Sequence, residues 1–364
     1  MENLKIINLR NCNNLHRTPD FTGIPNLEKL DLEGCVNLVE VHASLGLLKK
    51  LSYLTFEDCR NLKILPRKLL LDSLNRLVLS GCSAVRNLPE FGESMKSLSV
   101  LALEETSIAE LPVSVGHLTS LTNLLLEGCK NIVRLPNTIS NLKSLRRLNI
   151  SGCSKISKLP DNLNENEALE SLNASETAIR EVPSSIVLLK NLRLLLFRGC
   201  QDLASNSWSS LLPFEKILRF NSHPTTKRLV LPSFSGLSSL RKLDLSYCNL
   251  HDGSIPEDLG CLSSLVTLDL SGNNFVCFPG CISELLKLER LLLKCCPRLE
   301  SFPKLPPEVH YVNASDCGSM KPLSDPQQIW GHLVSFAFDK VRQCIFLFII
   351  QPHLLLNFNM LISL

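Results

Sequence analysis

The stretch Leu121-Thr122-Asn123-Leu124-Leu125-Leu126-Glu127-Gly128-Cys129-Lys130-Asn131-Ile132 sets the reading of everything around it. Its periodic apolar residues are Leu121, Leu124, Leu126, Cys129 and Ile132. The same spacing returns as Leu27, Leu30, Leu32, Cys35 and Leu38, and again as Leu145, Leu148, Ile150, Cys153 and Ile156. Working outward, the first apolar place falls at Leu4, Leu27, Leu51, Leu74, Leu98, Leu121, Leu145, Leu169 and Leu192. These are steps of 23 or 24 residues. The series resumes at Leu240, Leu265 and Leu288. The 48 residues between Leu192 and Leu240 leave room for one degenerate copy through Ile217 and Phe220, followed by Leu231-Pro232. A weaker last copy runs through Val309, Val312, Ala314, Cys317 and Met320, giving fourteen units, two of them poor.

The period and the pattern resemble leucine-rich repeats, whose units run from about 20 to 29 residues. Within a unit the fourth and sixth places alternate with outward side chains, which is the two-residue period of a short strand. Cysteine at the ninth place is small and apolar and is a weak donor, so it can be buried with its thiol against loop carbonyls. Thr106, Thr177 and Asn273 stand in that place in other units and can also donate. Leu-Pro steps follow, such as Leu111-Pro112, Leu135-Pro136 and Leu159-Pro160. Proline has no N–H and ends strand pairing. Beyond it the apolar residues come every three positions, as in Ile139, Leu142 and Leu145, which suits a 3₁₀ turn or short helix.

These features predict an α/β leucine-rich-repeat solenoid, a horseshoe with a parallel sheet on the concave face and short helices or 3₁₀ turns on the convex side. At about 4.8 Å per strand, fourteen units would span roughly 67 Å. Residues 1–323 are expected to form the solenoid, degenerate near 201–231, and residues 324–364 a truncated post-repeat segment with an apolar tail.

Composition fits this reading. The 364 residues are 45% hydrophobic and 20% charged, enough apolar material for a large core. Thirty-eight basic and 35 acidic residues leave a net charge of +3, which gives no reason to invoke nucleic acid or an anionic membrane. Aromatics at 5% argue against base-stacking surfaces. Most of the 15 cysteines recur at the packing position rather than in a disulfide framework. The amino terminus shows no basic stretch followed by an apolar run, so a reducing, cytoplasmic setting is favoured.

Two segments break the rhythm. Around residues 201–231 a polar run with Trp208 reads as a loop-rich, distorted repeat, or as a protruding recognition loop. Gln343 to Leu364 lacks Asp, Glu, Lys and Arg, and is long enough to span a bilayer. Its central Gln351-Pro352-His353 favours a truncated end over a membrane anchor. Neither end carries a polar capping unit, which a solenoid needs, so the chain is expected to be part of a longer protein.

Several stretches resemble the repeats of plant intracellular immune receptors, specifically the class with a Toll/interleukin-receptor domain, a nucleotide-binding switch and carboxy-terminal leucine-rich repeats. The residues are Thr18-Pro19-Asp20-Phe21-Thr22-Gly23-Ile24-Pro25-Asn26-Leu27-Glu28, Leu32-Glu33-Gly34-Cys35, Leu79-Ser80-Gly81-Cys82-Ser83 and Leu231-Pro232-Ser233-Phe234. The likeness covers residues 1 to about 320. Near Leu305-Pro306-Pro307 and Asn313-Ala314-Ser315-Asp316-Cys317 the chain resembles the start of the jelly-roll domain that follows such repeats, with Ser335-Phe336-Ala337-Phe338 as its first strand. The resemblance implies effector sensing and autoinhibition in the cytoplasm, with the nucleus as a second location. It implies protein partners: a pathogen effector or guarded host protein, and the receptor's own nucleotide-binding domain. No Gly-Lys pair occurs, so there is no phosphate-binding P-loop, and no nucleotide chemistry or other cofactor is expected of this chain.

A partner would meet the outward side chains of the strands, which form columns. One column holds Lys29, Tyr53, Arg76, Arg147, Lys242 and Arg290. The next holds Asp31, Asp244 and Asp269, with Leu125, Leu196 and Leu292. The third holds Glu33, Glu57, Glu104 and Glu127, then Arg198 and Lys294. This predicts an acidic row over the first six units that turns basic later, with the leucines and Tyr53 as the better anchors. No zinc spacing or catalytic motif is present, so no enzyme is expected. The glycosylation sequons at Asn149 and Asn173 would lie on adjacent strands, too close for two glycans. That weighs against the alternative of an extracellular receptor-kinase ectodomain. A general protein-protein adaptor is the other alternative.

Overall fold

The computed structural model describes residues 3–200, 229–301 and 304–321, together with the backbone of the strand Ser335–Ala337. A single parallel sheet of fourteen strands runs through them in chain order. Each of these strands is only three residues long, as in Lys29–Asp31, Tyr53–Thr55 and Asn123–Leu125. The central residues stand in register: Leu30 beside Leu54, Leu54 beside Leu77, Leu124 beside Leu148, Leu148 beside Leu172. Leu30, Leu54, Leu77 and Leu148 are all at most 2% exposed, so one continuous leucine row forms the floor of the core. Each such side chain contributes about 1.5–3 kcal/mol by leaving water, but only because the next unit covers it.

On the return side, every helical segment among the described residues is a 3₁₀ turn, such as Val113–His117, Asn137–Asn141 and Ser184–Leu188. Five follow a proline directly, at Pro112, Pro136, Pro183, Pro256 and Pro279. The ring fixes φ near the value a turn needs at its start. Three residues per turn then bring Ile139, Leu142 and Leu145 onto one buried side. Three units use phenylalanine instead of a turn. Phe21, Phe91 and Phe234 are each 1% exposed, and their backbone N–H groups donate to Ser44 Oγ, Ser114 Oγ and Asp258 Oδ2 of the following unit. The return through Phe91 is extended enough to pair with the return before it, Lys68–Leu69 with Glu90–Phe91.

The exit from the strand is the most uniform part of the unit. The residue before the ninth place is left-handed throughout, at Gly34, Gly81, Gly128, Gly152, Gly199 and Gly272, but also at Asn11, Asp58, Glu105, Glu176, Tyr247, Cys295 and Asp316. The turn closes by a backbone bond such as Cys153 N–H to Ile150 O at 3.1 Å. The buried thiols then donate backward along the stack, as expected. Cys35 reaches Leu9 O at 2.9 Å, Cys59 reaches Leu32 O at 3.1 Å, Cys153 reaches Leu126 O at 3.1 Å and Cys248 reaches Phe197 O at 3.0 Å. Asn273, standing in for cysteine, donates to both Leu245 O at 2.9 Å and Leu270 O at 2.8 Å. All described cysteines are free thiols.

Two expectations are corrected. The 48-residue gap does not hold an extra rung of the sheet. Leu194–Leu196 pairs directly with Lys242–Asp244, Leu195 beside Leu243, and Cys248 bonds Phe197 across the same junction. The neighbouring strand already occupies that edge, so no other strand can enter there. Val230 instead pairs with Glu181, so Leu231-Pro232 supplies the return of the unit that began at Leu192. Residues 201–228, with Trp208, Ile217 and Phe220, lie outside the described residues, as does Gln343 to Leu364. Second, Ser335–Ala337 does not open a new sheet. It extends the solenoid sheet by pairing with Tyr311–Asn313, so the sheet continues past residue 323.

Two predictions follow from the strand exit. Replacing Gly152 by Ala, at φ 69° and with its added Cβ 3.4 Å from Gly128, should cost about 1–2 kcal/mol, read as a lower urea midpoint at unchanged slope. Burial pushes the Cys59 and Cys153 thiols up to about 12, and Cys82 higher still. The folded chain therefore binds these protons more tightly than the unfolded chain, whose thiols titrate near ~8.5. Their contribution should be complete below that pH and be lost as pH rises toward 12, seen as a falling thermal midpoint. At neutral pH a thiol reagent should label the exposed Cys261 and Cys277 and spare these three until the chain unfolds.

Candidate partner-binding face

The sheet register places the expected columns side by side. Lys29 stands beside Tyr53, Tyr53 beside Arg76, and Asp31 beside Thr55, with Leu196 beside Asp244 and Asp244 beside Asp269 further along. Glu57, Arg76, Glu127, Arg147, Arg198, Lys242 and Arg290 are exposed. Lys29, Glu33, Tyr53, Glu104, Leu125, Leu196, Asp269 and Leu292 are half-buried on the same face.

Asp31 and Asp244 differ from the expectation. They are 3% and 9% exposed and face the chain rather than solvent. Asp244 Oδ1 accepts from Ser246 N at 3.0 Å and Ser246 Oγ at 2.6 Å; Asp31 Oδ1 accepts from Glu33 N at 3.3 Å. The same bond, two residues forward, recurs from Asn149, Asn173, Asp269 and Asn313. A short polar side chain at the third strand position satisfies the N–H that the ending strand leaves open. Asn149 and Asn173 are direct neighbours and both have this role.

The acidic row is less uniform than its sequence suggests. Arg10 pairs with Glu33 at its start, Ser80 interrupts it and donates to Glu104, and Asn149 Nδ2 donates to Glu127 at 3.0 Å. Glu57 lies between these compensated groups. Burial raises its pKa first, then Glu33, Asp58 and Glu104 add to the rise, while Arg76 opposes it. Three cations lie over tyrosine rings of the next unit, each 4.8 Å from the centroid: Lys29 on Tyr53, Arg198 on Tyr247 and Arg290 on Tyr311. Tyr53 therefore has one face covered by Lys29. Sequence reading missed Arg10, Ser80, Tyr247 and Tyr311. The first two could have been found by carrying the third column to every unit at the 23–24 residue step. Tyr247 could not, since it occupies the left-handed position, which the pattern assigns to glycine.

Among the described residues no group of His, Cys, Asp and Glu is arranged to hold a metal, and no helix is long and apolar enough to cross a membrane. The chain matches the Leucine Rich Repeat family model at residues 239–262 and 264–285. It is 42% identical over 317 residues to TMV resistance protein N of Nicotiana glutinosa, covering 87% of this chain. The chain is similar to the leucine-rich-repeat part of plant disease resistance proteins.

The chain spans only 26% of that relative's length. It is also 38% identical over 106 residues to Disease resistance-like protein DSC1 of Arabidopsis thaliana, covering 29% of this chain and 8% of that one. Solved structures share the fold at low identity. A leucine-rich-repeat protein of Leptospira interrogans superposes with a TM-score of 0.53 at 18% identity, covering 96% of this chain and 95% of the other. The functional domain of InlJ from Listeria monocytogenes, described as including a cysteine ladder, gives 0.54 at 16%, covering 88% and 67%. In this chain thiol-to-carbonyl bonds recur in units that carry cysteine at the ninth place, such as Cys35, Cys59, Cys153 and Cys248.

Structural and solvent-facing roles on this face separate by substitution. Asp244→Ala removes both bonds to Ser246 and should lower stability by about 1–2 kcal/mol. Glu127→Lys, on an exposed side chain, should change it by less than about 0.5 kcal/mol. Chemical denaturation of the two variants checks both values.

Proposed function

We propose that this chain is the recognition and restraint module of a plant disease-resistance receptor, a non-catalytic surface for protein partners. The inner sheet face binds a pathogen effector or a guarded host protein. The same repeats hold the receptor's nucleotide-binding domain inactive until that partner arrives. The setting is the cytoplasm, with the nucleus as a second location, and the complete receptor carries the nucleotide-binding and signalling domains on other parts of its chain.

The observation that carries this reading is the set of exposed side chains with no hydrogen bond or ion pair to their own fold among the described residues. Arg76, Arg147 and Lys242 project from strands paired on both sides and Glu57 from the turn that ends Tyr53–Thr55, so they are held by a rigid support yet remain free to meet a partner. Charges arranged in this way steer association and exclude wrong partners more than they add raw affinity. The likeness to disease resistance proteins then supplies the kind of partner.

The test reverses Glu57, Glu104 and Glu127 to Lys together in the complete receptor. Partner co-precipitation should drop by about tenfold or more, or resting signalling in leaf tissue should rise. Wild-type levels of both would remove this face from the reading.

A further inference from the structure

On the sheet side of the first seven units three cations have an acid from the next unit beside them, while Lys29 lies on Tyr53 and Arg76 and Arg147 form no ion pair among the described residues. Lys5 meets Glu28 at 2.8 Å, Arg10 meets Glu33, and Arg146 meets Glu170 at 3.2 Å. The pattern stops where Leu194–Leu196 joins Lys242–Asp244. There Arg193 is followed, in register, by Arg241, whose N–H bonds Arg193 O at 2.9 Å. Lys242 is beside Leu194, and Arg198 projects from the same unit. All four basic side chains are exposed, and none forms an ion pair among the described residues. The nearby acids are already engaged: Glu170, beside Arg193 on the preceding strand, pairs with Arg146 at 3.2 Å, Asp244 is buried on Ser246, and Asp269 accepts from Ser271 N at 2.9 Å. Like charges directly opposite one another on neighbouring strands destabilise a sheet. Folding alone therefore gives no reason for Arg193 beside Arg241.

Between these cations the face is apolar. Leu194 and Leu196, half-buried, are the outward residues of one strand, where most other units carry a polar group in at least one of the two places. We infer that this junction is a docking site for an acidic protein segment that inserts apolar side chains against Leu194 and Leu196 while its carboxylates meet Arg193, Arg241, Lys242 and Arg198. The inference rests on the concave-face reading and narrows it to one patch and one partner chemistry. Two leucines at the centre favour a peptide over a nucleic acid, since the arginine that could stack, Arg198, already lies on Tyr247 and no bare aromatic platform adjoins them among the described residues. Apolar anchors ringed by charge are the usual make-up of a protein hot spot.

The experiment measures anisotropy of a fluorescein-labelled peptide repeating Asp-Leu-Glu-Leu against the full chain, with a Lys-Leu-Lys-Leu peptide and single-stranded polyuridine as controls. The acidic peptide should bind saturably and the basic one should not. Arg193→Glu with Arg241→Glu should weaken binding by at least about tenfold, and so should Leu194→Ser with Leu196→Ser, which leaves the charge unchanged. Lys96→Glu, at an exposed residue outside the sheet, should leave it unaltered. Thermal midpoints check that the variants remain folded. Equal binding by both peptides, tighter binding of polyuridine, or insensitivity to the leucine pair would overturn the proposal. Because this assay needs no receptor signalling, its failure is distinct from a failure of the Glu57, Glu104 and Glu127 reversal.

Discussion

No unit of this chain can satisfy itself. A three-residue strand has two open edges and buries its leucine only when another unit lies over it, so the strand's backbone bonds and its buried leucine depend on the neighbour. That dependence explains the uniformity of the strand exit. The polypeptide must leave each strand at the same angle if the next is to arrive in register. A left-handed residue followed by a small donor does this. Where glycine is missing, Glu105, Glu176 and Tyr247 adopt the same conformation against their own preference. The stacking energy of both neighbours holds them there.

The same logic explains what the stack tolerates. Between Cys200 and Leu229 the chain departs from its period, yet the sheet closes across the interval without losing a bond: Phe197 N–H reaches Asp244 O at 2.9 Å and Gly199 N–H reaches Ser246 O at 2.8 Å. Extra residues enter after the strand and its turn are complete, where they displace no register. Replacement of the 3₁₀ turn by Phe21, Phe91 or Phe234 is a second tolerance. The return needs only an apolar filler and a partner for its N–H, which the next unit provides.

The inner face divides into side chains that serve the fold and side chains that do not. Short polar residues at the third strand position are caps, and the partner-facing chemistry is left to the columns on either side. Charge on the sheet side is paired at Lys5, Arg10 and Arg146 and left open at Arg76, Arg147 and the Arg193–Arg241 junction. A repeat protein can hold such variation because surface substitutions leave the buried row undisturbed.

Sequence alone determined the architecture. Leucines at a fixed 23–24 residue step allow only one buried row, and Cys35, Cys59 and Cys153 at the ninth place could already be assigned to packing, since small donors returning in phase have no other shared use. It also placed the outward residues in columns, because alternation within a strand is strict. Tertiary structure decided the rest. Whether Asp31 or Asp244 faces a partner or its own backbone depends on a bond two residues ahead, which a column cannot reveal. Whether 48 residues make two rungs or one depends on which strand fills the open edge of Leu194–Leu196. Arg193 and Arg241, far apart in the chain, became neighbours only when Lys242–Asp244 took that edge, and side chains interact through space rather than along the sequence.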